Sequence, residues 1–121
     1  MQIAILGSRR GMREEVERHI RGCLGENGSI ILRHYGVGEP KYNPAPADIA
    51  AAFFIVDDGQ SLEALKKIVD WGDDLPVAIV SDYKRSFLDN IGLKLKHYLP
   101  LPPTGQDVRE ALRWMGLETY M

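Results

Sequence analysis

Seven apolar residues in a row, Ala50 to Val56, run without a polar break into Asp57-Asp58-Gly59. A strand with water on one side alternates apolar and polar residues, whereas one covered on both sides reads as a continuous apolar run. A chain carrying such a strand must supply helices to both faces of its sheet, which is the arrangement of parallel α/β folds. Other short runs follow the same pattern. Gln2 to Leu6 stops at Gly7-Ser8, Pro76 to Val80 stops at Ser81-Asp82, and His97-Tyr98-Leu99 meets Pro100. The stretch from Ser29 to Tyr35 predicts one more strand.

Between these runs the apolar spacing becomes helical. Met12, Val16, Ile20, Cys23 and Leu24 form a stripe, with Arg13, Glu14, Glu17, Arg18 and Arg21 expected on the opposite face and Gly25 and Gly28 as the stop. Ser61 is expected to cap the next helix, whose stripe is Leu62, Leu65, Ile68 and Val69, with Gly72 and the adjoining Trp71 at its end. Lys84 to Gly92 predicts a weak helix with Phe87, Leu88 and Ile91 inward. Thr104 is expected to cap the last, with Val108, Ala111, Leu112 and Met115 inward and Gly116 as the stop. Between the second and third strands, Gly36, Gly38, Pro40, Pro44 and Pro46 leave no room for a helix of ordinary length. The pattern predicts five strands and four helices in alternation, with right-handed crossovers, and 121 residues suit one domain over the whole chain. Ligands of such sheets sit at the carboxyl ends of the strands.

Composition narrows the function classes. Lys plus Arg total 15 and Asp plus Glu 17, a net charge of −2, so no global field exists to hold a nucleic acid. Cys23 is the only cysteine, which excludes an intrachain disulfide and a CxxC metal site, and on the inward stripe it reads as a small core hydrophobe. His19, His34 and His97 match no metal-ligand spacing, so neither a metal nor another cofactor is expected. The longest apolar run is far too short to span a bilayer, and the chain opens directly into a strand. A soluble, cytoplasmic setting is the expectation.

From about residue 48 onward, Phe53-Phe54-Ile55-Val56-Asp57, Leu75-Pro76-Val77-Ala78-Ile79-Val80-Ser81-Asp82-Tyr83 and His97-Tyr98-Leu99-Pro100-Leu101-Pro102 resemble the receiver domain of bacterial response regulators. The resemblance implies a flavodoxin-like three-layer sandwich, strand order 2-1-3-4-5, with the second helix shortened or lost. It implies the phospho-acceptor position at Asp57 with Asp58 beside it, and the switch positions at Ser81 and Tyr98. In that two-component family, two acidic residues after the first strand hold magnesium and a Lys-Pro pair follows the fifth strand. Here Gly7 and Ser8 stand at the acidic-pair position, and Leu101-Pro102 stands in place of Lys-Pro. A carboxylate accepts a phosphoryl group only where cations balance the added charge. The resemblance therefore implies a degenerate, or pseudo-, receiver that retains the scaffold of phosphorelay signalling without the magnesium-dependent chemistry, with Asp57 vestigial.

Gly7-Ser8-Arg9-Arg10-Gly11 lies between a strand and a helix N-terminus. Arg9 and Arg10 suit an anion there, or else pair with Asp57 or Asp58; an arginine on Asp57 would hold the site in one state. The loop Asp58 to Glu63 loosely resembles that of nucleoside deoxyribosyltransferases, in which a Glu is the nucleophile. The alternative function is therefore a small nucleotide- or nucleoside-binding enzyme using the Gly7–Arg10 turn and Glu63. On the receiver reading, partners dock on the last-helix face. Tyr98, Arg109, Arg113 and Trp114 lie there with Lys84, Arg85, Lys94 and Lys96, a face fit for a protein partner or a homodimer.

Overall fold

The computed structural model describes residues 1–25, 28–37, 49–68 and 74–121. The strands are β1 Gln2–Gly7, β2 Ile31–Gly36, β3 Ile49–Val56, β4 Val77–Ser81 and β5 Lys96–Leu99. The helices are α1 Arg10–Leu24, α2 Gly59–Lys67, α3 Arg85–Leu88 and α4 Gly105–Trp114. The five strands form one sheet in the order β2-β1-β3-β4-β5, with every pairing parallel.

The alternation of β3 explains its uninterrupted apolar sequence. Ala51, Phe53 and Ile55 face α1 and α4, packing with Val16, Ile20, Val108 and Leu112. Ala52, Phe54 and Val56 face the other way, toward Ala64 and Leu65 of α2 and Leu88 of α3. β1 does the same, with Ile3 and Ile5 on one face and Ala4 and Leu6 on the other. Each large side chain so enclosed is worth about 1.5–3 kcal/mol of burial.

Local chemistry sets most element ends where the sequence puts them, with three corrections. The cap of α2 is Asp58, not Ser61; the side chain of Asp58 accepts from the Ser61 N–H, and Ser61 reaches back as the third helical residue of a capping box. The segment from Lys84 to Gly92 is not one helix but the single turn of α3 followed by a 3₁₀ turn, Asp89–Ile91, stopped by Gly92 at φ 84°. Arg13 is not on the solvent face of α1 but 5% exposed. Because α1 starts directly over the end of β1, its guanidinium reaches the Gly7 carbonyl, donating through Nη1 at 2.6 Å. Thr104 caps α4 as the sequence implies. The expected loss of the second helix, and the helix end near Val69, Trp71 and Gly72, fall outside the described residues. Among the described residues no helix is long and apolar enough to cross a membrane.

Candidate functional site

The chain crosses from β1 to β2 in one direction and from β3 to β4 and β5 in the other. The order reverses between β1 and β3, and the crevice beyond their carboxyl ends is where open α/β sheets bind ligands. Gly7 and Ser8 end one wall of it, and Asp57 and Asp58 the other.

The two aspartates hold separate positions in the chemistry. Asp58 is fully engaged. Its Oδ1 accepts from the Ser61 N–H at 2.8 Å, and its Oδ2 accepts from the Ser8 hydroxyl at 2.6 Å. The Ser8 bond first, and then the Ser61 backbone bond, hold its carboxyl below the usual carboxylate range. The Asp57 and Asp58 N–H groups both donate to Ser61 Oγ at 3.1 Å. Asp57 has a side chain only 7% exposed, yet among the described residues its buried Oδ1 has no hydrogen-bond partner. Its Oδ2 lies 3.4 Å from Arg9 Nε, on a side chain that is 67% exposed. A guanidinium thus stands at the open side of the carboxylate.

The groups that would receive a magnesium ion do not fit one. Gly7 has no donor, and a Cβ there would lie 3.1 Å from Ile55 Cβ and 3.5 Å from Arg13 Cγ, so the position is closed to a larger side chain. The Ser8 hydroxyl and the Asp58 carboxylate are spent on each other and on the α2 cap. That leaves one carboxylate, already facing a cation, whereas magnesium asks for an octahedral oxygen shell. Among the described residues no group of three His, Cys, Asp or Glu side chains converges as metal ligands.

The remaining singled-out residues divide into two clusters and several solitary positions. Ser81 Oγ donates to the Val56 carbonyl at 2.6 Å and accepts from the Tyr83 N–H at 3.0 Å, which ties β4 to β3. The Tyr98 hydroxyl donates to Asp89 Oδ1, and Arg85 lies 5.2 Å over its ring. Burial first, and then the Asp89 bond, push the phenol up to about 12. Lys96 Nζ completes this group, 3.7 Å from Asp89 Oδ1. Leu101 packs against the α1–α4 side of the core, and its peptide to the exposed Pro102 is cis. Arg10 turns along α1 to Glu14 at 2.9 Å, and Glu63 pairs with Lys66 at 3.0 Å, so each is occupied within its own helix. On the opposite side of β5 from Tyr98, Trp114 stacks on His97 with centroids 5.3 Å apart, and Arg113 pairs with Glu118 at 3.3 Å.

Sequence reasoning put Arg13 on the solvent face, gave Ser61 the cap that Asp58 forms, and missed Asp89. The spacing of Asp58 and Ser61 carried a capping-box signal that could have revealed the second, because an N-cap acceptor and its third helical residue bond reciprocally. Nothing in the sequence marks Asp89 as the partner of Tyr98, because that contact joins a short turn to a strand across the sheet edge.

No protein-family model matches this sequence, and no curated protein matches it. Solved structures do. The bacteriophytochrome response regulator AtBRR superposes with a TM-score of 0.67 at 15% identity, covering 96% of this chain and 92% of its own. A pilus assembly-related protein from Burkholderia pseudomallei gives 0.65 at 13% identity, covering 97% and 90%. A response regulator receiver domain from Rhodospirillum rubrum gives 0.53 at 16% identity, covering 97% and 92%. Five parallel strands in the order 2-1-3-4-5, helices on both faces and an aspartate closing the third strand give this chain the flavodoxin-like fold of a response-regulator receiver domain.

Proposed function

We propose that this chain is a degenerate receiver-like signalling module that acts by protein–protein contact, without turnover and without phosphorylation by the magnesium-dependent route. The observation that carries this reading is the Arg9–Asp57 contact at 3.4 Å. At the position where receivers balance a phosphorylated aspartate with a divalent ion and a lysine, this chain places its own guanidinium. Gly7, Ser8 and Leu101 supply neither acid nor base there. An internal guanidinium beside the carboxylate occupies the side from which a phosphodonor and its metal would approach. Output then passes through the edge formed by β5 and the last helix. Trp114, 37% exposed, and the guanidinium groups of Arg109 and Arg113 suit a protein partner or a second copy in the cytoplasm. Tyr98 contributes from the other face of the same edge strand.

The test is incubation of the chain with acetyl phosphate and magnesium, followed by intact-mass measurement. The expected outcome is no added phosphoryl group and no saturable magnesium binding in titration calorimetry. An acid-stable, base-labile phosphoryl adduct mapping to Asp57 would overturn the reading. The nucleotide-enzyme alternative has no geometric observation in its favour, since Arg10 and Glu63 are each held by a helical neighbour. A nucleoside-induced rise in melting temperature abolished by Arg10→Ala would revive it.

A further inference from the structure

A second recess, separate from the β1–β3 crevice, opens at the carboxyl ends of β4 and β5, with a volume of about 230 Å³. Tyr83, Leu88, Leu99 and Pro100 give it apolar walls, and Tyr98 and Arg85 close one side. The polar groups already there are satisfied internally. Ser81 Oγ bonds the Val56 carbonyl and the Tyr83 N–H, and the Tyr98 hydroxyl bonds Asp89. Arg85 differs from them. Its guanidinium lies over the Tyr98 ring at 5.2 Å, and among the described residues no carboxylate pairs with it. A cation–π contact uses none of the guanidinium's N–H donors in a hydrogen bond, so its planar fork can take the two oxygens of a carboxylate.

We propose that this recess binds a small organic monocarboxylate with a planar apolar body, its carboxylate held by the Arg85 fork and its body enclosed between Tyr83, Leu88 and Leu99. Size limits the ligand. The recess is smaller than the roughly 300–1,000 Å³ typical of drug-sized sites, so a single ring or a branched aliphatic chain fills it. A bare inorganic anion would leave the apolar walls wet, and a neutral ring would leave the guanidinium without a counter-charge. The site goes beyond the protein–protein reading and stands or falls independently of the Asp57 chemistry.

The experiment is a titration of the ¹⁵N-labelled full chain with sodium phenylacetate, followed by amide chemical shifts. Saturable shifts centred on Tyr83, Arg85 and Leu99 are expected. Arg85→Gln weakens binding by roughly tenfold or more, the scale of one lost charge-assisted contact, and Arg85→Lys falls in between. Arg85 is exposed and among the described residues holds only the Tyr98 ring, so both variants fold, and their unchanged amide spectra away from the recess verify it. Phenylacetamide is expected to bind about as weakly as phenylacetate does to Arg85→Gln. The proposal is overturned by any of three results: no saturable shift at millimolar phenylacetate, affinity unchanged in Arg85→Gln, or equal affinity for acetate, which would leave the apolar walls without a role.

Discussion

Asp57 presents a local conflict whose energetic consequence is measurable. Its carboxylate is nearly buried, one oxygen has no partner among the described residues, and the other faces a guanidinium that is two-thirds in water. At 3.4 Å two unit charges attract by about 1 kcal/mol in a water-like dielectric and about 5 kcal/mol at an effective dielectric of 20. With Arg9 67% exposed, the lower part of that range applies, about 1–2 kcal/mol. Against it stands the cost of an unsatisfied buried acceptor, about 1–3 kcal/mol and larger for a charged one. Asp57→Asn removes the ion pair and the charge but leaves a neutral amide atom at the unpartnered position, so the partial relief of the burial cost and the loss of the pair nearly offset. The variant is therefore expected to lie within about 1 kcal/mol of the parent, a shift of no more than roughly 4 °C in melting temperature. Arg9→Ala, which leaves the carboxylate without a cation, is expected to cost about 1–2 kcal/mol. In the Asp57→Asn background the same Arg9→Ala change becomes nearly silent, so the double-mutant cycle yields a coupling of about 1–2 kcal/mol. Urea unfolding at pH 7 with a common slope reads all four proteins, and the coupling shrinks as salt is raised. A coupling indistinguishable from zero at low salt would show that the guanidinium does not hold the carboxylate. An Asp57→Asn variant destabilised by more than about 2 kcal/mol would show that the ion pair outweighs the burial cost.

Two other predictions rest on neighbouring groups. Asp58→Ala loses the α2 cap, about 1 kcal/mol, and the charge-assisted Ser8 bond, about 1.5 kcal/mol, for a total near 2–3 kcal/mol at pH 7 by urea unfolding. The folded-state Asp58 carboxyl titrates below its unfolded value of about 3.9, so its contribution is complete above that pH and fades as pH falls through the folded value. The gap between parent and variant should close on acidification, and a gap independent of pH would contradict the assignment. Tyr98 has the opposite sign. Its folded-state phenol is raised to about 12, so the stability it lends is present below about pH 10 and is lost between there and 12. Ultraviolet titration should show a late-ionising phase that Asp89→Ala moves earlier, and an unchanged late phase in that variant would exclude the Asp89 bond as a cause.

The fold was legible because its signals are local and redundant. The Ala50 to Val56 run states in its own composition that β3 has no wet face, and the stripes of the first and last helices state which sides cover it. Strand order came from resemblance, since alternation of elements leaves several orders open. The failures have a common origin. Arg13 has the amino-acid type of a solvent residue and the position of a strand-end ligand, and only the approach of α1 to Gly7 makes it the latter. Asp57 and Asp58 are chemically identical in the sequence. One is consumed by a helix cap and a serine from the neighbouring strand, and the other is left half-satisfied beside an arginine.

What the sequence determined by itself was therefore the set of buried faces and the residue types at the strand ends, because hydrophobic periodicity and residue identity are properties of the chain read in order. Only the tertiary structure decided which aspartate is spent, which arginine meets the other, and which arginine lies over a tyrosine beside a recess. Those are contacts between residues distant along the chain, set by how parallel strands bring their carboxyl ends to one side of the sheet.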